Sequence, residues 1–552
     1  MPARLIYQIT MKEFLTQRLK RGLVRRLNNL KIAAVARRVA RQEPPPSGAP
    51  VVFFKASTGI DDLSWNSAFH LLASWALRLK GVPVAYFACN AGMSHCVLGT
   101  NRDDPRKEPP CKSCVYQSRT LYASVPPVIP NSPITDSRVN WFDYQRDEHL
   151  SQAVAGLSVP ELMRFEWEGF PLGALCLPGL RWILRIHHLH DDENTRYLLL
   201  EYILSAWNIA RQFADYLDRA QPRAVIVFNG QFYPEAVARY VSRRRGLRGI
   251  THEVGLQPAS AFFTEGEATA YPIHIPETFE LSGDQNARLD AYLTRRFQGD
   301  FSMAGIRFWA SMQGLDEAFL KKAARFEQIV PVFTNVIFDT SQPHANTVFE
   351  DMFAWLDLTL EAIRAHPETL FVIRAHPDEL RVRKASRETV AAWVEARGAD
   401  REPNVVFVGP RETLSSYELI QRSKFVMVYN STIGLEASIM GAVVLCAGKA
   451  RFTQYPTVFF PQSEEAVRRK IEEFLDADRI EVPPEFQRNA RRFLYYQLYK
   501  TSLPFGEFLE PSVRTTQTRL KSFALDALLA SDAIQVILDG VLAGEEFLLR
   551  DI

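Results

Sequence analysis

Asn430-Ser431-Thr432-Ile433-Gly434-Leu435-Glu436-Ala437-Ser438-Ile439-Met440-Gly441 directly follows the apolar run 425–429, and this passage from strand through polar turn to helix decides the fold. A short apolar run closed by small polar residues reads as a buried parallel strand. Ser431 or Thr432 is the expected N-cap of the helix that follows, with a hydroxyl and free amides able to hold a phosphate. Gly434 would let the backbone approach a ligand closely. Glu436, in the first turns of that helix, could reach the vicinal hydroxyls of a ribose. A capped helix with a dipole-stabilising glutamate would look the same, so the neighbours have to decide.

Working outward, the same rhythm repeats. Strands are expected at 330–333, 370–374, 405–408, 425–429 and 443–446, with helices at 348–365 and 434–440. In open parallel sheets, ligands bind beyond the carboxyl ends of the strands. Those ends carry Thr334-Asn335 and Asp339, Arg374 and His376-Pro377, Gly409-Pro410-Arg411, and Asn430-Ser431-Thr432. Each could be an ordinary turn; their joint placement in one lobe points to an anion site.

An earlier series has the same character. Strand 51–54 leads to the turn Ser57-Thr58-Gly59, helix 67–79 and strand 82–87; later come strand 224–228, helix 235–245 and a strand ending near Thr251. A Pro-rich passage and a mostly helical stretch, 148–220, read as an insertion between them. The expected fold is therefore α/β: two Rossmann-like lobes facing a central cleft, with a helical insertion in the first lobe and a basic N-terminal helix. The expected boundaries are a basic amphipathic arm over 1–48, an N-terminal Rossmann-like lobe with the Cys-rich loop and helical insertion over 49–325, a C-terminal Rossmann-like lobe over 326–485, and C-terminal helices over 486–552 that pack back across the lobes.

The run from Asn404-Val405-Val406-Phe407-Val408-Gly409 through Tyr417-Glu418-Leu419-Ile420 to Ser431-Thr432, Gly434-Leu435-Glu436-Ala437 and Gly441 resembles the C-terminal lobe of GT-B glycosyltransferases. With Thr334-Asn335, Asp339 and His376-Pro377 it resembles the capsule-polysaccharide and Kdo-transferase-like branch, over about 150 residues. The resemblance implies that His376, Ser431 and Thr432 contact donor phosphates and that Arg411 lies near the base. Related sequences often carry paired serines where this chain has Asn430-Ser431-Thr432. A CMP-sugar, a CDP-alcohol and a UDP- or GDP-sugar therefore all stay open as donors.

Transfer to a hydroxyl is helped by a base facing the donor across the cleft. Glu253 is the first choice and His252 the second, both after the last strand of the first lobe; Asn229, Ser57 and Thr58 would line the acceptor side. Asp476-Ala477-Asp478 follows a helix rather than a strand and reads as surface. The leaving group is thus expected to be neutralised by His376, Arg374 and helix amides rather than by a divalent ion. The expected function is transfer of a sugar from a nucleotide-activated donor to a glycan or lipid-linked acceptor in surface-polysaccharide biosynthesis. The alternatives are a CDP-alcohol phosphotransferase of the same fold and a non-catalytic scaffold that binds glycan or partner proteins.

Hydrophobic residues make up 47% of the 552 and charged residues 23%, which excludes wholesale disorder. The first 48 residues hold eleven Lys or Arg against Glu13 and Glu43, so a basic arm precedes a mildly acidic body. Leu15, Leu19, Leu23, Leu27 and Leu30 recur at helical spacing in that arm, which suits the surface of an anionic bilayer, although a solvated arm would share the pattern. No secretory leader or spanning segment is expected, and the location expected is cytoplasmic, peripheral at the inner membrane face. Nucleic acid is not an expected partner, since the body has no basic stripe.

Cys89, Cys96, Cys111 and Cys114 offer four thiolates, and a structural zinc is expected there ahead of free thiols or redox chemistry. Cys176 and Cys446 read as core. His187-His188-Leu189-His190-Asp191-Asp192 reads as helix-end polarity rather than a metal site.

Overall fold

The computed structural model describes residues 11–56, 60, 62–122, 138–298, 302–303, 306–307, 314–381 and 385–550, of which 11–18, 302–303 and 306–307 are described by backbone alone. Ser57 and Thr58, expected on the acceptor side, lie outside the described residues.

Strand β1 (Val51–Lys55) alternates its side chains between two cores. Val51 and Phe53 face one side with the helix Trp65–Leu79, and Val52 and Phe54 face the other with the helix Glu193–Ala220. Both faces are covered, so the run is apolar from Val51 to Phe54, as a buried parallel strand must be. β1 pairs in parallel with β2 (Val84–Cys89) and with β4 (Ala224–Phe228); β3 (Val139–Phe142) extends β2, and β5 (Arg248–Val254) extends β4. The parallel order is thus 3-2-1-4-5, the doubly wound arrangement. An antiparallel strand, β6 (Ser260–Glu265), closes a hairpin on β5 and carries it past its expected end at Thr251 to Val254.

The second sheet repeats this order. Its strands Val405–Val408, Thr369–Arg374, Gln328–Phe333, Val426–Val428 and Val444–Cys446 lie side by side in that sequence, all parallel. Numbered along the chain, they too run 3-2-1-4-5. Val330, Val332, Phe371 and Ile373 fill one core, while Leu370, Val372, Val426 and Val428 fill the other. The fold is therefore α/β with two Rossmann-like lobes, a GT-B arrangement, as the sequence led us to expect.

Two further segments tie the lobes together. The helix Pro484–Tyr495 buries Ala490, Phe493 and Leu494 against the second lobe, and the chain then returns to the first. There Leu503–Pro504 pairs with β6, and Phe505, Phe508, Leu520, Ile534 and Phe547 join the core that holds Phe53.

The histidine-rich run lies at the other junction. Asp192 caps the helix Glu193–Ala220 through the N–H groups of Asn194 and Thr195, which is the helix-end role expected. His188 has a further use: its ring reaches Asp351 at 2.8 Å and Glu388 at 3.0 Å, both in the second lobe. Hydrogen bonds to Asp351 and then Glu388 push its pKa up to about 10. A pKa raised by folding gives stabilisation that is complete below the ordinary histidine value near 6.5 and is lost as pH rises through about 10. Asp351 and Glu388 shift downward: burial opposes the shift, but the bonds to His188 outweigh it, so their contribution is lost in acid. The His188 ion pair is thus formed across the neutral range, although its contribution to stability already declines above about pH 6.5. We expect a side-chain 15N NMR titration to find the His188 imidazolium doubly protonated throughout neutrality and titrating near pH 10; titration near 6.5 would show that the lobes are not clasped there.

Candidate functional site

An open parallel sheet has one point where strand order reverses, and there the flanking connections diverge and leave a crevice. In the first lobe this point lies between β1 and β4, and in the second between Gln328–Phe333 and Val426–Val428. The carboxyl ends of the first pair are Lys55 and Phe228-Asn229; those of the second are followed by Thr334-Asn335 and by Asn430. Asn335 Nδ2 donates to Asn430 Oδ1 at 2.6 Å, so two of the sequence-chosen residues meet across the reversal.

The crevice of the first lobe opens into a cleft of about 860 Å³ that the second lobe covers. Lys55, Asn66, Asn229 and Glu253 line it from one side, and Asp339, Thr340, Ser341 and Arg451 from the other. Arg514, Thr516 and Gln517, from the returning C-terminal segment, also reach it.

Glu253 sits on β5 with its carboxylate turned into this cleft. Asn229 Nδ2 donates to its Oε2 at 2.8 Å, the Val254 amide to its Oε1 at 2.8 Å, and Asn66 Nδ2 to its Oε1 at 3.4 Å. Burial raises its pKa, while these three donors and the Arg451 charge pull the other way. Asn229 can serve because it occupies the left-handed region, φ 58°, which asparagine tolerates better than most residues. Its backbone N–H is fixed to the His252 carbonyl at 2.9 Å.

His252, the second choice of base, is turned away from the cleft. Neighbouring strand residues point to opposite faces, so when Glu253 faces the cleft, His252 enters the core. It is fully buried against His70 (ring centroids 4.4 Å apart), Phe263 (5.0 Å) and Phe228 (6.0 Å). Burial among these rings holds its pKa well below the ordinary value, and neither ring nitrogen has a hydrogen-bond partner among the described residues.

The donor-side residues divide into two groups. His376 lies near Asp339: burial lowers its pKa, and Asp378 and Asp339 act against that shift. Its Nδ1 accepts the Asp378 amide at 3.2 Å, which fixes the ring. Arg374 is 5% exposed and donates to the carbonyls of Leu414 and Glu412, so it braces the loop that carries Arg411. Arg411 itself is exposed.

Around the quoted passage, the structure assigns different work from that expected. Thr432 precedes a seven-residue helix, Ile433–Ile439, in helical conformation, and no side-chain cap bond forms there. Ser431 is buried. The close approach that needs Gly434 comes from inside: a Cβ there would stand 2.9 Å from Val428 Cγ2 and 3.1 Å from Phe452 Cζ. Glu436 is 3% exposed and pairs with Arg296 at 2.5 Å, while its other oxygen accepts the Tyr417 hydroxyl. With both oxygens engaged, it bridges the lobe to the helix Gly283–Phe297.

Sequence reasoning missed four residues. Lys55 ends β1 at the mouth of the cleft, 3.2 Å from Ser67 Oγ. Burial lowers its pKa and raises that of buried Glu235, while each charge steadies the other. Arg451 stacks 3.7 Å over the Tyr271 ring and so presents a fixed cation to Glu253. Arg514 and Asn66 come from segments with no strand-end signal. Lys55 did carry one, because a lysine closes the apolar run.

The four cysteines line one small hollow with Ile60, Met93 and Pro110. Among the described residues, no group of three or more His, Cys, Asp or Glu is placed to hold a metal ion, and the structure gives the expected structural zinc no support. Burial raises the thiol pKa values of Cys89, Cys96 and Cys111, that of Cys96 up to about 12. Cys89 and Cys96 accept the Gly92 and Gly99 amides, each at 3.2 Å. Cys176 and Cys446 are buried in core positions.

Residues 310–456 match the family described as capsule polysaccharide biosynthesis protein. That segment holds all five strands of the second sheet. Protein FixF of Sinorhizobium fredii (strain NBRC 101917 / NGR234) is 25% identical over 307 residues, 55% of this chain and 65% of that one, so the match spans just under two thirds of the relative. Among solved structures, the Thermosulfurimonas dismutans KpsC beta Kdo 2,4 transferase aligns with TM-score 0.33 and 12% identity, over 56% of this chain and 86% of its own. A putative UDP-N-acetylglucosamine 2-epimerase from Listeria monocytogenes aligns with TM-score 0.24 and 10% identity, over 81% and 95%. Structural likeness at these levels carries no chemistry over to this chain.

The Gly434 geometry can be tested directly. Gly434→Ala should destabilise the fold by roughly 1–3 kcal/mol, read by denaturant melting, because the added methyl meets Val428 and Phe452. Unchanged stability with lost nucleotide binding would instead give this glycine a ligand-contacting role.

Proposed function

We propose that this chain is a glycosyltransferase that moves a sugar from a nucleotide-activated donor to a hydroxyl of a glycan or lipid-linked acceptor in capsule or other surface-polysaccharide synthesis. The observation that carries the reading is the cleft in which Glu253 faces Asp339, Ser341 and Arg451 from the opposite lobe. The donor would lie along the second lobe, its phosphates near His376, Asn430, Ser431 and Thr432. The match of residues 310–456 to the capsule polysaccharide family supports that placement.

In this reading Glu253 takes the proton from the acceptor hydroxyl as the new glycosidic bond forms, and the nucleotide leaves with the electron pair of the old one. A carboxylate held by two asparagine side chains is positioned for that step, and a pKa raised by burial makes it a stronger base. Arg451 and His376 would meet the negative charge that grows on the leaving phosphate, with no divalent ion required for that stabilisation. Asn229 and Asn66 orient the base.

Glu253→Gln keeps the shape but leaves one oxygen instead of two to accept from Asn229 and Asn66, and it cannot accept the proton. It should lower kcat by about 10²–10⁴-fold with little change in KM for the donor. Because Glu253 must be ionised and its pKa is raised from 4.5, the acid limb of the wild-type kcat/KM profile should lie above that value. The assay is release of nucleotide together with mass analysis of the product. An acceptor gaining a sugar without phosphorus supports the proposal, and a phosphodiester product would establish the phosphotransferase. Full turnover by Glu253→Gln would remove Glu253 as the base.

A further inference from the structure

Helix α1 (Met11–Gln42) has two apolar faces, and among the described residues only one of them is buried by the fold. Ile32, Val35, Ala36 and Val39 are buried in the first-lobe core beside the helix Trp65–Leu79. Asn28, 2% exposed, fastens this face: it donates to the Thr518 carbonyl at 3.4 Å and accepts the Leu520 amide at 2.9 Å. Asn29 exchanges two hydrogen bonds with Gln117, at 3.1 and 3.0 Å. The helix is therefore anchored along its second half, not tethered as a loose arm.

The opposite face is a ladder of leucines in solvent. Leu19 is 75% exposed, Leu23 60%, Leu27 52% and Leu30 58%; these four are half of the large exposed hydrophobic side chains among the described residues. At about 100° per residue they fall within an arc of about 80°, roughly opposite Ile32 and Val39. From Leu19 to Gln42 the helix carries eight Lys or Arg and no acid. Lys20 and Lys31 flank the ladder on one side and Arg26 on the other, while Arg37 and Arg41 continue its line toward the body; all five are exposed.

A leucine stripe rimmed only by cations fits an interface whose interior is apolar and whose surface is anionic. We infer that α1 docks the protein on an anionic phospholipid bilayer, with Leu19, Leu23, Leu27 and Leu30 among the acyl chains and the flanking Lys and Arg at the headgroups. A second copy of α1 would bring eight like charges against eight. A nucleic acid would leave the leucines unsatisfied. Because Asn28 holds the strand that follows Arg514, Thr516 and Gln517, docking of α1 also fixes how the cleft stands above the membrane. This inference stands apart from the reaction proposed above, since binding is read without substrate.

The test is flotation of the full chain with vesicles of phosphatidylcholine plus phosphatidylglycerol, and of phosphatidylcholine alone. Wild type should float with the anionic vesicles and not with the neutral ones, and high salt should weaken it. Leu23→Ser/Leu27→Ser should lower partitioning by about tenfold or more, and Lys20→Gln/Arg26→Gln/Lys31→Gln by a similar factor, with unchanged melting because these side chains are exposed. The inference is overturned if wild type ignores anionic vesicles or if both variants float as well as wild type. It is also overturned if sedimentation shows a dimer that the leucine changes dissolve, or if the protein holds nucleic acid in preference to vesicles.

Discussion

Each sheet grows outward from its first strand in both directions, and that single reversal constrains everything built on it. A right-handed crossover places the second and third strands to one side, so the chain must cross back to lay the fourth beside the first. In such a sheet the connections leaving the first and fourth strands diverge and leave a crevice. This happens twice in one chain, at Lys55 and Asn229 and again at Asn335 and Asn430. The C-terminal segment that crosses between the lobes and the His188 clasp then hold the two lobes in fixed relation.

Strand positions were legible in the sequence because a doubly covered strand has to be apolar on both faces. The run 405–408 was read to the residue, and 370–374 and 425–429 to within one. β5 was read short, since nothing local to Thr251 announces the hairpin partner that extends it. Long-range pairing of this kind is decided by tertiary contact, and a window of neighbouring residues does not contain it.

The candidate site was legible where a residue ends a strand, and poorly legible elsewhere. Asn229, Asn335 and Asn430 were singled out by that rule, as was Glu253 on a strand read three residues too short, and the rule also marks Lys55. His252 was drawn in by its neighbour: the sequence shows adjacency, whereas the pleat separates adjacent residues by the thickness of the sheet. Glu436 and Gly434 sit where a ligand-binding reading expects them, yet the structure engages them with Arg296, Tyr417, Val428 and Phe452. Local pattern does not distinguish a group that meets a ligand from one that meets a helix 140 residues away. Arg514 and Gln517 reach the cleft only through the returning C-terminal segment, which no motif foretells.

The proposed donor lies beyond the strand reversal of the second lobe, with its sugar reaching toward Glu253 in the first. Hydrogen–deuterium exchange on the intact protein, with CMP, CDP, UDP and GDP added in turn, tests it most directly. One of these nucleotides should slow exchange in the amides after Phe333 and Val428, around Asp339 and Arg451, and the acceptor-side turn at Asn229 should respond once the matching sugar conjugate is used. Protection confined to the groove lined by Arg288, Tyr292 and Tyr499, or none with any of the four, would contradict the account.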